Sequence, residues 1–357
     1  MRHNHTSTSR DLAARRRRQR IAWLLAAAGG LAVINHLQRR RAEAAHPPRG
    51  RFLDLAGVRL HCHDRGSGPP VVMLHGNGAM AADFAIAGVS TELADKFRVL
   101  AFDRPGFGYS SRPRRQIWTP RAQARLIAMA LERLGIPKAI VVGHSWGTLV
   151  ALALALEQPQ RVQSLVLVSG YYLPTPRLAL LLAWPQAVPV LGDLICQTIA
   201  PWLARLTAPF LVRRSFAPAP VTQAFSSRFP FPLCFRPSQL RAFAEETAIM
   251  IGAAASLAGE YSRLKHPVTI VTGAADRIVD PDRQSRRLAG ILPNATLRVI
   301  PETGHMAHHT TPEAVIAAVE HAFREAAPGP ATMNDQAPAV PVSQMPAMPA
   351  LRPVGAG

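Results

Sequence analysis

A serine, an aspartate and a histidine stand in this chain in the order Ser145, Asp276, His305, each just after a β-branched run. Those three side-chain types can break an acyl bond. The hydroxyl attacks a carbonyl, the imidazole takes its proton, and the carboxylate fixes the tautomer and stabilises the imidazolium. Ser145 lies in Gly143-His144-Ser145-Trp146-Gly147, between the strand-like residues 139–142 and an uncharged, helix-like run at 148–156. A G-x-S-x-G stretch wedged between strand and helix is a nucleophile elbow, a turn tight enough to strain the serine and present its Oγ clear of the sheet. Asp276 follows the run 268–272, and His305 follows 295–300, so both fall where the carboxyl edge of an α/β sheet builds its sites. Asp280 and Asp282 are alternative acids, and His308 and His309 alternative bases. Only His305 directly follows a glycine.

Upstream, residues 71–74 run into His75-Gly76-Asn77-Gly78. A glycine-flanked loop after a buried strand can turn an N–H toward the serine, so the oxyanion hole is assigned to the backbone N–H groups of Asn77 and Trp146. His75 and His144 read as structural, and Asp103-Arg104 as the pins of a sharp turn. His61-Cys62-His63-Asp64 alternates like a strand and lacks a second ligand cluster, so no metal is expected.

Five pieces span residues 51 to about 325: His75 to Gly78, Asp103-Arg104-Pro105-Gly106-Phe107-Gly108-Tyr109-Ser110, the elbow, Gly273 to Asp276, and Gly304-His305. In this order and spacing the chain resembles the capped bacterial serine hydrolases of the α/β-hydrolase fold, esterase- and lipase-like. The resemblance implies an α/β architecture: a mostly parallel central sheet flanked by helices, with an inserted, mainly helical cap. It also implies a Ser145–His305–Asp276 triad and no cofactor. Members that hydrolyse epoxides or alkyl halides carry aspartate at the elbow, so serine here favours acyl transfer. The expected function is cleavage of carboxylic esters with an apolar acyl or aromatic group, through an acyl-enzyme on Ser145. The alternatives are another acyl bond (thioester, lactone, amide or carbon–carbon), a perhydrolase or haloperoxidase-like activity, and a ligand-binding receptor of the same fold.

The elements that must position these residues are legible as alternating strand and helix patterns. Thr119-Pro120 supplies a capping hydroxyl and a first-turn proline, an apolar stripe follows, and Gly135 stops the helix. The core is expected over 51–170 and 263–327, interrupted by the cap at 171–262. Pro185, Pro189, Pro201 and Pro209 are expected to divide the apolar part of the cap into pieces too short to cross a bilayer. Tyr171, Tyr172, Trp184, Phe229 and Phe231 are candidate substrate-binding residues. Residues 328–357, rich in Ala and Pro, read as a disordered tail.

The net charge of +19 suggests nucleic acid until it is partitioned. Residues 1–50 hold 11 arginines against two acids, a net of +9, around an apolar run. The remaining surplus is scattered without an aromatic-interleaved basic stripe, so no nucleic-acid partner is expected. Three cysteines form no disulfide framework. Residues 1–20 form a basic segment, 21–37 an apolar helix and 38–50 a linker. The apolar stretch is 17 residues at its longest, at the lower edge of the roughly 17–25 a span needs. It is read as a bacterial inner-membrane anchor, with a cleaved signal or a soluble or surface-lying helix as alternatives. Seven arginines before it against five after it, up to Arg51, place the catalytic part on the periplasmic side. The expected partners are therefore a small-molecule or lipid-like ester and the membrane.

Overall fold

The computed structural model describes residues 5–176 and 185–326. The strands are β1 (Arg51–Leu55), β2 (Val58–Arg65), β3 (Pro70–Leu74), β4 (Arg98–Phe102), β5 (Ala139–His144), β6 (Val162–Val168), β7 (Val268–Gly273) and β8 (Ala295–Ile300). They form one sheet in the order β1-β2-β4-β3-β5-β6-β7-β8. The pairings β1–β2 and β2–β4 are antiparallel, and every other neighbouring pair is parallel. The longer helices are α1 (His5–Ala45), α2 (Pro120–Arg133), α3 (Trp146–Glu157), α4 (Leu191–Gln197), α5 (Ala200–Phe216), α6 (Pro237–Ala258) and α7 (Pro312–Ala326). This is the mostly parallel, helix-flanked sheet that the sequence predicts.

The central strands are continuous apolar runs because both faces of the sheet are covered. Val72, Leu74, Val141, Leu165 and Leu167 pack with Leu126 and Leu131 of α2 and Leu149 of α3. Their neighbours in sequence, Val71, Met73, Ile140, Val142, Val166 and Val168, pack on the opposite face with Val315 and Val319 of α7. Burying each such aliphatic side chain stabilises the fold by roughly 1.5–3 kcal/mol before entropy is counted. Helix α3 has no polar face because residues 146–155 are all buried. Helix α2 starts as predicted, with Thr119 Oγ1 accepting from Ala122 N at 3.2 Å and proline at the first position.

Two features differ from the sequence expectation. Helix α1 does not end at Leu37 but runs on to Ala45 through most of the predicted linker. Residues 38–45 contain good helix formers and no Gly or Pro, and Pro47-Pro48 supplies the stop. Its last turns also pack on the body: Ala42 is buried, and Glu43 pairs with Arg236 at 3.1 Å. Pro209 does not end its helix, since α5 passes through it. The proline is on the exposed side, where water can satisfy the carbonyl that lost its N–H partner. The predicted tail at 328–357 and Trp184 lie outside the described residues.

Helices α4, α5 and α6 fall between β6 and β7, so the helical insert lies where the sequence places it. Its tie to the core is a buried ion pair. Arg104, which follows β4, is fully buried and reaches Glu246 of α6, also fully buried, through Nη1. Gln123 of α2 donates to the same Glu246 Oε1 at 2.8 Å. Removing one member of a buried pair leaves a charge without its counter-ion, which costs about 3–5 kcal/mol. Glu246→Ala is therefore expected to lower unfolding free energy by that amount in urea denaturation, and Glu246→Gln by less. An Ala variant within experimental error of wild type would contradict this account.

Candidate active site

The elbow is built from close backbone approach. Ser145 has φ 51° and ψ −118°, a left-handed conformation that a serine holds only under constraint from its surroundings. The constraint is visible on both sides. Ser145 N donates to Val168 O of β6 at 3.0 Å. A Cβ on Gly147 would lie 2.1 Å from Leu74 O, and one on Gly143 2.7 Å from Thr148 N. Only glycine lets the turn sit this close to β3 and to its own helix. Ser145 is thereby held at the carboxyl end of β5, half-exposed, at the start of α3.

The other expected residues converge on the same edge. The loop after β7 carries Asp276, whose Oδ1 accepts the N–H groups of Ile278 and Val279, both at 2.8 Å. Its Oδ2 is 2.8 Å from His305 Nδ1. Asp280 instead accepts the N–H groups of Asp282 and Arg283, and the two acids pair with Arg283 and Arg286 on the exposed surface. His305 is held at both backbone ends. Its N–H donates to Ser215 O of α5 at 3.0 Å, and its carbonyl lies 3.2 Å from His144 Nε2. No hydrogen bond joins Ser145 Oγ to His305 among the described residues. Such contacts are often long without substrate and tighten in the complex. His308 and His309 turn away: their Nε2 atoms reach Asp83 Oδ2 and Oδ1 at 2.9 and 2.7 Å, all three residues buried.

The loop after β3 lies beside the elbow because Leu74 is registered against Gly143. Among the described residues, neither Asn77 N–H nor Trp146 N–H donates to a protein acceptor. The loop's carbonyls are held from behind: Arg104 Nε donates to His75 O at 2.8 Å and Nη2 to Gly76 O at 3.0 Å. His75 is structural, taking Arg104 N on Nε2 at 3.0 Å. Asp103 pins the turn after β4, accepting from Ala81 N at 2.7 Å and Tyr109 N at 2.9 Å, with His61 Nδ1 also 2.7 Å away.

Sequence reasoning missed the contribution of α6. Asn77 Nδ2 donates to Phe243 O and Thr247 Oγ1 at 3.2 and 3.0 Å, and the Phe243 ring lies over Gly78. An acid pair, Glu245-Glu246, inside an apolar helical run was the available signal. Of the aromatic candidates, Phe229 and Phe231 pack with Met80 and Met306, which flank the Asn77 loop and His305. Tyr171 and Tyr172 are buried in the main core cluster. Tyr172 is held there by Gln284, whose Oε1 accepts Tyr172 N at 2.7 Å, and by Tyr261, whose hydroxyl donates to Tyr172 O at 2.9 Å. The Trp146 ring is likewise in the core.

Comparison with known proteins agrees with the fold. The family model for the alpha/beta hydrolase fold matches residues 69–312. A 2-hydroxymuconate semialdehyde hydrolase of Pseudomonas putida is 30% identical over 299 residues, 78% of this chain and 96% of that protein. Haloalkane dehalogenase 2 of Mycobacterium tuberculosis is 33% identical over 135 residues, 38% of this chain and 46% of that protein. Among solved structures, an alpha/beta hydrolase fold protein from Burkholderia ambifaria superposes with a TM-score of 0.64 at 23% identity, covering 76% of this chain and 96% of that one.

The buried histidines predict a pH dependence of stability. Burial, reinforced by the Arg104 charge, holds His75 down to about 3 from 6.5. Burial also holds His144 and His308 below the usual range, with neighbouring histidines adding to it. These rings are neutral when folded and take protons once unfolded, so the unfolded chain binds more protons between the folded values and 6.5. Stability is thus expected to fall as pH drops below 6.5, with His75 alone costing on the order of 2 kcal/mol at pH 5. Urea midpoints at pH 7.5 and 5 measure this, and equal midpoints would show that the rings carry protons in the fold.

Proposed function

The chain belongs to the alpha/beta hydrolase family, and on that premise we propose that it is a serine hydrolase acting at a carbonyl group. The observation that carries this reading is the strained Ser145 at the carboxyl end of β5, with the paired His305 and Asp276 on loops at the same edge of the sheet. Ser145 Oγ attacks the carbonyl carbon as its proton passes to His305 Nε2. Asp276 holds Nδ1 and stabilises the imidazolium. The tetrahedral oxyanion takes its hydrogen bonds from Asn77 N–H and Trp146 N–H, a contact stronger in the transition state than in the substrate. Collapse expels the leaving group, which takes the proton from His305. Water then attacks the acyl-enzyme by the same route. No cofactor takes part.

The cluster of Phe229, Phe231, Met80 and Met306, which adjoins the Asn77 loop and His305 in sequence, supports an apolar acyl site, and Phe243 of α6 lies against Gly78 of that loop. An ester with an apolar acyl or aromatic group fits such a site. The relative named 2-hydroxymuconate semialdehyde hydrolase, matched over 96% of its length, favours a second reading. In it the same serine cleaves a carbon–carbon or lactone bond of a small oxygen-rich substrate. Serine at the elbow speaks against the alkyl-halide chemistry in the name of the shorter match. Helix α1 contains a stretch long and apolar enough to cross a membrane, and most of it is exposed. We read it as a tether that leaves the catalytic body on the periplasmic side.

The test is labelling of the full chain with a fluorophosphonate probe, wild type against Ser145→Ala. Labelling of the wild type alone is expected, together with a loss of turnover in the variant of about a thousandfold or more. Equal labelling of both, or of neither, overturns the assignment. Nitrophenyl esters of graded acyl length, lactones and dienoates with a cleavable carbon–carbon bond then separate the two substrate readings.

A further inference from the structure

Outside the site, the largest unexplained feature is an apolar face on the insert. Along α5 the exposed large side chains are Trp202, Leu203, Leu206, Phe210 and Leu211, with Ile199 just before the helix; Leu206 is 78% and Phe210 67% exposed. Positions 199, 203, 206 and 210 recur at helical spacing, so they share one side of α5. Val190, Leu191 and Leu194 extend the exposed apolar surface onto α4. The one acid on α4, Asp193, is paired with Arg114 and Arg241. A soluble surface has no use for a stripe of this size.

Two observations say what covers it. The first is continuity with α1. Asn35, within the apolar run, is buried and donates through Nδ2 to Gln197 O and Thr198 O at 2.9 and 2.8 Å. The corner between α4 and α5 is therefore fixed against the part of α1 that carries Val33, Ile34 and Leu37, all exposed. If α1 lies in hydrocarbon, this corner meets the same leaflet. The second is charge. Arg39, Arg40 and Arg41 follow the run on α1, and Arg213 and Arg214 are exposed at the end of α5. Arginines at this level pair with anionic headgroups while the apolar stripe enters the acyl boundary, and an indole such as Trp202 suits the interface between them.

We propose that the apolar face of α4 and α5 docks onto the surface of an anionic bilayer, the same one that holds α1. The inference rests on reading α1 as a membrane tether. It has a consequence for the site, because the end of α5 touches the catalytic loop. Ser215 O takes the N–H of His305, and a Cβ on Gly304 would lie 2.3 Å from Ala217 O. The helix that rests on lipid thus borders the entrance, and an apolar ester dissolved in the leaflet reaches Ser145 without crossing water.

The test uses the full chain in vesicles of phosphatidylcholine and phosphatidylglycerol, with a nitrobenzoxadiazole probe on one introduced cysteine. Burial raises the native thiols of Cys62, Cys196 and Cys234 and slows their labelling, and the unsubstituted chain carried through the same labelling gives the background. Probes at Leu206→Cys and Leu25→Cys are expected to be quenched by doxyl-labelled phosphatidylcholine. A probe at Lys138→Cys, before β5 at the opposite edge of the sheet, is expected to be spared. Quenching at 25 but not at 206 overturns the docking and leaves the tether standing. Quenching at 206 but not at 25 supports the docking and refutes the tether, and quenching at neither refutes both. An independent check is the double substitution L206E/F210E, with turnover of a water-soluble ester as the measure of folding. Turnover of a vesicle-dissolved ester should fall about tenfold or more, in line with losing one or two buried apolar side chains, while the soluble ester is unaffected. Equal turnover of both substrates by variant and wild type overturns the proposal.

Discussion

The buried guanidinium of Arg104 is the contact on which the rest of the site depends. A guanidinium cannot shed its charge, so in a fully buried position it must find both a counter-ion and acceptors for its N–H groups. Glu246 supplies the charge, Gln123 an amide oxygen, and His75 and Gly76 their carbonyls. Those last two are the residues just before Asn77. By fixing where their carbonyls point, Arg104 also restricts the direction of the N–H that follows. The cation therefore links three things at once: the turn after β4, the loop beside the serine, and the helix that lies over both.

A second constraint comes from sterics. Ser145 keeps its left-handed backbone because β3, β6 and α3 leave no other path for the chain, and Gly143 and Gly147 are the places where that crowding is relieved. The apolar sheet beneath supplies the energy that holds this strain. Around it, His75, His144 and His308 are kept uncharged by burial, while His305, in the loop at the same edge, is backed by the Asp276 carboxylate. Asp83 draws the two nearest competitors, His308 and His309, into a separate buried cluster.

Much of this was legible in the sequence because it is local. The elbow, the His75–Gly78 loop, and the aspartate and histidine after strands are each set by a few adjacent residues and by chain order. The β-branched runs announce a doubly covered sheet for the same reason. What was not legible involves partners far apart in sequence. Glu246 meets Arg104 and Phe243 meets Gly78 across more than a hundred residues; the acid pair at 245–246 marks α6 as unusual, but nothing in it identifies the partner. Where the tyrosines at 171 and 172 pack was not legible because aromatic residues after a strand can face core or cleft equally well. The choice was made by Gln284 and Tyr261, again distant in sequence. The extent of α1 was misjudged for a different reason: arginines read as a linker, although arginine is a good helix former and only Pro47 ends the run.

Helix α1 passes into the body without a loop. Its last turns are gripped by Arg236 through Glu43, and the Tyr109 hydroxyl donates to His46 O just beyond them. A joint of that kind has no swivel. If the helix spans a bilayer, the body cannot tumble on a leash as a loosely linked domain would; its tilt and height are those of the helix. The mouth of the site would then be held at one depth, and the enzyme would search for substrate by sliding in a plane rather than by wandering through a volume.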